Sequence, residues 1–450
     1  MTESKCPVSG ASTTASKCPF SGAAATSYPN AAKAVDGIIT NLTNKRSSEG
    51  MGLPEAMSQE TIDMIVATAP AVAPKMLDIT KCFYEKILGS HPELLQFFNP
   101  AHNVPKSENQ PKALAASAIA YATNITDLSP LLVPGGPVQA IAHRHVALGV
   151  HPMQYVVVHE KLMAAIGEIL GDIVTPEIAS AWSEAVLFLA KAFIDTEEGL
   201  YKALEQREGG WSGFAEFEVS EINALTDSVK QVSFKPPSGS PLEGKKFDFT
   251  GGQYLSLQID IDGDNLTAPR HYTCTSPVGA DYLQCTIKKI GGGKVSTYVH
   301  DNLKVGDKIT LSPPVGVFTI PEEAETSAVL LSAGIGVTPM VNFQRVLGDR
   351  VKLVVHVDRA EETHPYKAFF EESGAETLFK YTSATGRPKA SDLAQETIDK
   401  VGKDHEFFIC GPESWMEDVQ AELLSRGAKK VVCEVFGSQL ATGCPFFASA

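Results

Sequence analysis

The chain has 450 residues, of which 43% are hydrophobic and 20% are charged, and its formal net charge is −15. This length allows about three domains, and the composition is that of an ordinary globular protein. The acidic balance argues against nucleic acid or an anionic membrane surface as a main partner. No apolar run reaches the ~18 residues that a transmembrane helix requires, so we expect no stable membrane association.

The two ends of the chain lack the pattern of a packed domain. Residues 1–52 are rich in alanine, serine, threonine and glycine, which predicts a disordered N-terminal extension. Within it, SKCPVSGA is nearly repeated as SKCPFSGA, and a third Cys-Pro pair lies in the tail 441–450. We interpret these repeats as low-complexity sequence, and contact with a regulatory haem is the alternative.

The cysteines are scattered along the chain and form no CxxC pair. That usage is typical of reduced thiols in a reducing compartment. We therefore expect a cytoplasmic protein, and we expect it to be a monomer. Targeting to mitochondria by the N-terminal extension is the alternative to a cytoplasmic location.

Helical periodicity dominates residues 53–207. Ser58 is placed to cap a first helix, a second helix covers 75–88, and two long helices end the region. No stretch here has the strict alternation of apolar and polar residues that indicates a half-buried strand. The region is therefore predicted to be an all-α domain.

The segment PGGPVQAIAHRHVALGV, residues 134–150, contains the most informative helix of this domain. Residues three and four apart share a helix face, so His145 lies on the apolar face of this helix. His143 lies ~200° around the helix from His145, at ~3.6 residues per turn, and points elsewhere. His145 thus faces the interior, either as a core histidine or as a ligand of a metal or haem, and the helix alone does not decide. The apolar residues of that face are Val138, Ile141, Ala142 and Leu148.

Two regions with different patterns follow the helices. Residues 211–322 contain short alternating or β-branched stretches separated by glycine and proline, which predicts an antiparallel β-barrel of about six strands. Residues 326–440 alternate strand and helix patterns, which predicts a parallel sheet with helices on both faces. The predicted fold class is multidomain: an all-α domain, an antiparallel barrel and an α/β parallel-sheet domain.

Four short motifs lie in these two regions. GIGVTP at 334–339 follows a buried strand and opens a helix, where backbone N–H groups and the helix dipole favour a pyrophosphate; a tight turn without a ligand is the alternative. RHYT at 270–273 combines an arginine, an aromatic ring and a hydroxyl, which suits a flavin nucleotide. GGGKVST at 291–297 is a second glycine-rich turn, and CGP at 410–412 follows a strand. Each string alone is ordinary, and their order is the informative feature.

In this order, the motifs of residues 213–437 resemble those of the ferredoxin-NADP reductase family. With the helical domain in front of them, the chain is similar to the flavohaemoglobins over 53–437. The resemblance implies a globin domain with haem b, a barrel with FAD and an α/β domain that binds NADH or NADPH. The preferred nicotinamide nucleotide stays open, because Arg359 suits a ribose 2′-phosphate and the neighbouring Asp358 opposes it.

For the globin domain, the resemblance implies a set of residues around the haem. His145 would be the proximal iron ligand, and Tyr84 would be the distal tyrosine that hydrogen-bonds O2. Tyr155 and Glu197 would orient His145 and make it more electron-rich, which favours activation of O2 over reversible storage. From the residues alone, Tyr84 also fits core packing and Glu197 also fits the surface. The residues that would contact the haem or its distal pocket are Phe98, Gln110 and Leu114, and core packing is again the alternative for Phe98.

Two positions depart from the family pattern. Pro111 follows Gln110 directly, and proline is tolerated only in the first turn of a helix. Gln110 must therefore lie at a helix start, which leaves its direction open. Arg144 stands where the family usually has lysine before the proximal histidine.

For the other two domains, the resemblance implies nucleotide contacts. FAD would be bound by Tyr254, Arg270, His271, Tyr272, Thr273, Val295 and Ser296, and from the C-terminal strand by Glu434, Val435, Phe436, Gly437 and Ser438. The nicotinamide nucleotide would be bound by Gly334, Ile335, Gly336, Val337, Thr338, Pro339, Cys410 and Gly411.

The implied activity is that of a nitric oxide dioxygenase. NAD(P)H would reduce FAD, FAD would pass single electrons to the haem iron, and O2 and NO would be converted to nitrate, with the redox chemistry supplied by the cofactors. Two other functions stay open. One is an O2- or NO-binding sensor whose reductase keeps the haem ferrous, and the other is an NAD(P)H-dependent reductase of other acceptors.

Overall fold

The computed structural model describes residues 46–261, 267–321, 323, 325–434 and 436. These residues form a helical part followed by two parts that contain β-sheets, in the order that the sequence predicts. The predicted domain limits stay predictions, and the helices and strands given below fall within them. The Cys-Pro segments lie outside the described residues.

The helical part consists of α1 (Gln59–Val72), α2 (Met76–Ser90), α3 (Asn109–Thr123), the short α4 (Ser129–Leu132), α5 (Pro137–Leu148), α6 (Pro152–Leu170) and α7 (Pro176–Gln206). The predicted cap of α1 is present, since Ser58 Oγ accepts a hydrogen bond from the Thr61 N–H at 3.1 Å. The helix that carries His145, α5, is capped at its C-terminal end by Gly149. The φ angle of this residue is +74°, which a glycine adopts without strain. No helix among the described residues is long and apolar enough to span a bilayer.

The core of the helical part lies where α2 packs against α3 and α6. Ile79, Phe83 and Ile87 of α2 are at most 2% exposed. They recur at four-residue spacing, so they form one continuous apolar face. Tyr84 lies in the same core, which places its hydroxyl in the interior of the helical part.

The second part consists of β1 (Ala215–Thr226), β2 (Val229–Lys235), β3 (Tyr254–Gln258), β4 (Arg270–Thr273), β5 (Leu283–Lys288), α8 (Lys294–Asp301) and β6 (Lys308–Leu311). Its six strands form an antiparallel sheet with strand order β4-β3-β6-β1-β2-β5. An isolated antiparallel β-bridge between the backbones of Cys274 and Cys285 brings its two edge strands together. All described cysteines are free thiols, as the sequence predicts.

The third part consists of β7 (Ala328–Ala333), α9 (Thr338–Leu347), β8 (Val351–Asp358), α10 (Lys367–Glu371), β9 (Glu376–Tyr381), α11 (Thr382–Thr385), α12 (Ala390–Val401), β10 (Glu406–Cys410), α13 (Glu413–Ser425) and β11 (Lys430–Glu434). Its five strands form a parallel sheet with strand order β11-β10-β7-β8-β9. The sequence did not predict α12, because its buried face is narrow and consists of Leu393, Ala394 and Thr397. Since β7 pairs with both β8 and β10, the carboxyl ends of these strands meet at one edge, where open α/β sheets bind ligands.

The helical part is joined to the barrel through a small apolar cluster. Val146 and Ala147 of α5 and Tyr201 and Leu204 of α7 pack there with Val315, which follows β6. All five side chains are at most 4% exposed. This packing places the helix that carries His145 directly against the barrel.

Candidate functional site

His145 contacts a tyrosine and a carboxylate from the two helices that follow it. Its Nδ1 lies 2.8 Å from the Tyr155 hydroxyl and 2.7 Å from Glu197 Oε1. The Tyr155 hydroxyl also donates a hydrogen bond to the same Glu197 oxygen. The His145 side chain is 30% exposed, whereas that of Glu197 is 3% exposed, so Glu197 is buried and does not lie at the surface. The structure thus brings together three side chains from three different helices.

The protonation of this cluster favours one role for each ring nitrogen of His145. Burial, together with the Glu197 charge, raises the pKa of Tyr155 well above its ordinary value, so the hydroxyl stays protonated and donates. With Nδ1 engaged by Glu197 and Tyr155, Nε2 is the nitrogen that a metal would use. Phe193, whose ring centroid lies 5.6 Å from that of His145, restricts the imidazole from the side.

Tyr84 is enclosed by aromatic rings. Its side chain is 4% exposed, and the rings of Phe83 and Phe98 meet it edge-on at centroid distances of 5.0 and 5.6 Å. Burial raises the pKa of the Tyr84 hydroxyl. The group is therefore a protonated donor at any physiological pH.

Gln110 lies close enough to the Tyr84 hydroxyl to act against the effect of burial on the tyrosine pKa. The side chain of Gln110 thus points towards the interior, a direction that the sequence left open. Helix α3 begins at Asn109, so Pro111 lies in its first turn, directly after Gln110. Leu114, one turn later, packs on the same core. One core cluster surrounds both Tyr84 and the His145 region. Its members include Tyr84, Ala142 and Phe193, and Phe98, Leu114, Ile141 and Tyr155 pack against it.

The other side of α5 faces the barrel. His143 points away from the pocket of His145, as the sequence predicts, yet it is not free, because its Nδ1 accepts a hydrogen bond from the Gly316 N–H at 3.0 Å. Burial and the nearby charge of Arg207 lower the pKa of His143 to about 4, which keeps this nitrogen an acceptor. His143 is therefore a contact between the helical part and the barrel.

Arg144 connects α5 to the remaining two parts of the chain. Its guanidinium lies close to the side chain of Tyr254 on β3, where its charge acts against the rise that burial causes in the tyrosine pKa. Burial raises the pKa of Glu434, at the end of β11, to about 7, and the Arg144 charge opposes this rise. Phe436 follows, with 49% of its side chain exposed. The other predicted contacts of this segment, Val435, Gly437 and Ser438, lie outside the described residues.

Arg270 begins β4 with its guanidinium held by neutral oxygens. Its Nη1 donates to the carbonyls of Ala268 and Pro269 at 2.6 and 3.1 Å, and its Nη2 donates to Asn99 Oδ1 at 3.2 Å. None of these acceptors carries a charge, so they orient the guanidinium without neutralising it. The arrangement suits an anion such as a diphosphate.

The rest of the predicted flavin site lies on β3, β4 and α8. The His271 ring meets the Tyr254 ring edge-on at 5.0 Å, and Tyr272 packs against the barrel core. In the second glycine-rich turn, Val295 is 1% exposed and Ser296 Oγ accepts the Ile290 N–H at 3.1 Å. Accepting this bond does not use the Ser296 O–H, so the segment would reach a phosphate through that hydroxyl and through the backbone N–H groups that begin α8.

The first glycine-rich turn lies where the sequence predicts, between β7 and α9. A Cβ on Gly336 would lie 2.2 Å from the Cys410 carbonyl oxygen, so only glycine lets the turn approach the end of β10 and Gly411. Thr338 Oγ1 donates to Thr273 Oγ1 at 3.3 Å, which joins the turn to β4. The other predicted residues of this segment lie beside these two. Gly334, Ile335 and Val337 belong to the glycine-rich turn, and Pro339 lies at the start of α9.

Three groups of residues thus fit the three cofactors that the motifs imply. His145, with Nδ1 engaged and a protonated tyrosine in the same core, fits a haem. The guanidinium of Arg270, bonded to uncharged oxygens, fits the diphosphate of FAD. The close packing of Gly336 on Cys410, at the carboxyl ends of parallel strands, fits a nicotinamide nucleotide.

Comparison with known proteins finds a globin match and an FAD-binding match, in that order along the chain. A globin family model matches residues 81–193, and a model described as an oxidoreductase FAD-binding domain matches 216–320. The flavohemoprotein of Bacillus subtilis (strain 168) is 32% identical over 403 residues, which cover 85% of this chain and 98% of the relative. The chain belongs to the flavohaemoprotein family.

Other relatives agree with this assignment. The flavohemoprotein of Rhizobium meliloti (strain 1021) is 34% identical over 408 residues, which cover 85% of this chain and 99% of the relative. Among solved structures, the flavohemoglobin of Malassezia yamatoensis has 27% identity and a TM-score of 0.73, and the match covers 85% of this chain and all of that one. This confirms the resemblance inferred from the motifs and the fold of a flavohaemoprotein, and the FAD-binding match makes the protein an oxidoreductase.

Three contacts of this flavohaemoprotein were missed by sequence reasoning. From the sequence, Arg144 was noted only because it replaces the lysine that is usual in the family. His143 was predicted only to point away from the face of His145, and Asn99 was not predicted to have a role. A signal existed for the first two, because residues beside His145 on a helix must face away from its pocket. Nothing in the sequence pairs Asn99 with Arg270, which lie 171 positions apart.

Proposed function

We propose that this flavohaemoprotein is a nitric oxide dioxygenase that uses haem b, FAD and either NADH or NADPH. Bound haem would supply the iron for the conversion of NO and O2 to nitrate, and bound FAD would supply the electrons taken from the nicotinamide nucleotide. The M. yamatoensis flavohemoglobin was solved with bound FAD and heme, which supports the same pair of cofactors here. The roles of the individual residues below are part of this proposal.

The observation that carries the proposal is the buried Glu197 carboxylate at 2.7 Å from His145 Nδ1. A carboxylate that accepts a hydrogen bond from a ligating imidazole fixes its tautomer and raises its basicity. A strongly donating axial ligand favours activation of O2 over reversible storage. Tyr155 bonds both partners and holds the imidazole in one orientation. This arrangement supports oxidation chemistry more than a sensing role.

Tyr84 and Gln110 supply the polar groups on the other side of the proposed pocket. Since burial keeps the Tyr84 hydroxyl protonated, it can donate a hydrogen bond to O2. Gln110 lies beside that hydroxyl and adds a second polar group to the pocket. Phe98 and Leu114 make the surrounding wall apolar, which excludes water and strengthens a polar contact inside the pocket.

Helix α5 is the proposed link between the two redox sites. It carries His145 towards the globin interior, and the adjacent Arg144 contacts Tyr254 of the proposed flavin site. His143 fixes the same helix to the barrel through Gly316. A single helix therefore contacts both proposed sites.

An anaerobic titration tests the proposed function. Purified protein is reduced with NADH or NADPH while flavin and haem absorbance are followed, and O2 and NO are then added. We expect flavin reduction to precede haem reduction, followed by rapid NO consumption with nitrate as product. Slow NO turnover with tight, reversible O2 binding would instead select the sensor, and electron transfer to other acceptors without nitrate would select a general reductase.

Glu434 predicts a pH dependence of flavin reduction. Its pKa of about 7 means that the carboxyl is neutral below that pH and ionised above it. An ionised Glu434 would place negative charge beside a flavin that must accept electrons, so flavin reduction by NADH should slow a few-fold as pH rises through about 7. Stopped-flow measurement should show this decline in the wild type and not in Glu434→Gln. In Arg144→Leu, which lacks the charge that opposes the rise of the Glu434 pKa, the decline should move to higher pH. An identical profile in all three proteins would contradict this role.

A further inference from the structure

Asn99 connects the globin part to the barrel at the residue directly after Phe98. It precedes a short 3₁₀ turn, Pro100–His102, and its Oδ1 accepts the Ala101 N–H at 3.1 Å. The same oxygen accepts a hydrogen bond from Arg270 Nη2 at 3.2 Å. One side-chain oxygen thus caps its own turn and holds an arginine of the neighbouring domain.

The surroundings of Arg270 leave its positive charge in place. Its other acceptors among the described residues, the carbonyls of Ala268 and Pro269, are also neutral. His102, at the end of the Asn99 turn, is close enough for the Arg270 charge to act on it. Burial and that charge lower the pKa of His102, so the ring is neutral and does not compete with the guanidinium for an anion. The guanidinium is therefore held in one orientation and still carries its full charge.

We propose that Asn99 of the globin domain positions Arg270 for the diphosphate of FAD, so that the segment after Phe98 forms part of the flavin site. The inference rests on the proposed function, which assigns FAD to this barrel. Arg270 is the residue that would bind the diphosphate, and Asn99 is a positioning residue that acts through it. FAD affinity is then partly a property of the globin domain.

The neutrality of the asparagine is essential to this role. An aspartate would cap the turn as well as asparagine does, because the two residues are about equally good N-caps. It would also form an ion pair with Arg270, and an anion at this position would compete with the diphosphate for the guanidinium. Asn99→Asp therefore separates the local structural role from the positioning role.

The test measures FAD affinity in full-length protein that retains its haem. The flavin is removed and titrated back while flavin fluorescence is followed. We expect the dissociation constant of FAD to rise about tenfold or more in Asn99→Asp, because the aspartate would weaken the charge-assisted hydrogen bonds between the guanidinium and the diphosphate. Thermal unfolding followed by haem absorbance should not change, because the cap is retained. Asn99→Ala should also weaken FAD binding, with some loss of stability because the cap is removed.

Asn109→Asp is the matched control. It makes the same charge change on the same stretch of chain, at an exposed position, and should leave FAD affinity unchanged. If Asn99→Asp binds FAD as the wild type does, Asn99 is only a cap and the proposal is overturned. Equal weakening in Asn109→Asp would overturn it as well, because the effect would then be a general one of added charge. A wild-type protein that takes up no FAD at all would refute the proposed function itself.

Discussion

His145→Ala is expected to lose nearly all of its haem, because His145 Nε2 is the proposed protein ligand of the iron. Changes in the groups that merely orient a metal-ligating histidine cost about 10- to 100-fold in affinity, so loss of the ligand itself should cost more. The Glu197 carboxylate would also lose the imidazole that it bonds at 2.7 Å. Haem content per protein, measured by absorbance after purification, checks this result.

His143→Ala is the control for this experiment. The two histidines lie on the same helix, but the His143 ring bonds Gly316 of the barrel, so its loss should weaken docking and leave the haem in place. Flavin reduction by NAD(P)H should survive in both variants, since neither histidine is among the residues proposed to bind FAD or the nicotinamide nucleotide. Haem loss in His143→Ala together with haem retention in His145→Ala would show that His143, and not His145, is the residue that faces the haem.

Tyr84→Phe should speed O2 dissociation by roughly ten- to a hundredfold. A hydrogen bond to a charged or strongly polarised acceptor contributes about 1.5–3 kcal/mol, and each ~1.4 kcal/mol is a factor of ten in an equilibrium constant. Phenylalanine keeps the edge contacts with Phe83 and Phe98, so folding should be nearly unchanged. NO consumption should fall at low O2 and partly recover as O2 is raised. Stopped-flow O2 dissociation and an NO consumption series across O2 concentrations measure both effects.

Tyr121→Phe provides a matched core tyrosine in the same domain. Tyr121 is 7% exposed, and its hydroxyl donates to the Ala185 carbonyl at 2.9 Å, so removing the hydroxyl should cost stability, about 1 kcal/mol, without changing O2 dissociation. If Tyr84→Phe has the same O2 dissociation rate as the wild type, then Tyr84 is also only a core tyrosine. If the rate rises but neither protein consumes NO, the dioxygenase is excluded and the sensor remains.

Short-range patterns were sufficient to predict the architecture. Ser58 caps α1 as expected, because a serine at that position satisfies a backbone N–H of the first helical turn whatever surrounds it. The turn that contains Gly336 lies between a strand and a helix as expected, since the order of strand, glycine turn and helix is local information. The face of His145 followed from helical periodicity, which depends only on backbone geometry.

The sequence could not predict which groups these side chains contact, because a side chain that points in a given direction can meet many different groups. Gln110 turns towards Tyr84, and the choice depends on how α2 and α3 pack together. His143 proved to be a domain contact, since whether a helix face meets solvent or protein depends on the docking of the barrel.

By itself, then, the sequence determined the three-part organisation of this protein, its glycine-rich turns and the inward direction of His145, because these depend on backbone periodicity and residue type. Only the tertiary structure decided that Glu197 is buried on His145, that Arg144 reaches Tyr254, and that Asn99 holds Arg270. These contacts join residues from different helices and domains. Their formation depends on the packing of apolar surfaces such as the cluster between α5, α7 and the barrel, which is a property of the whole fold.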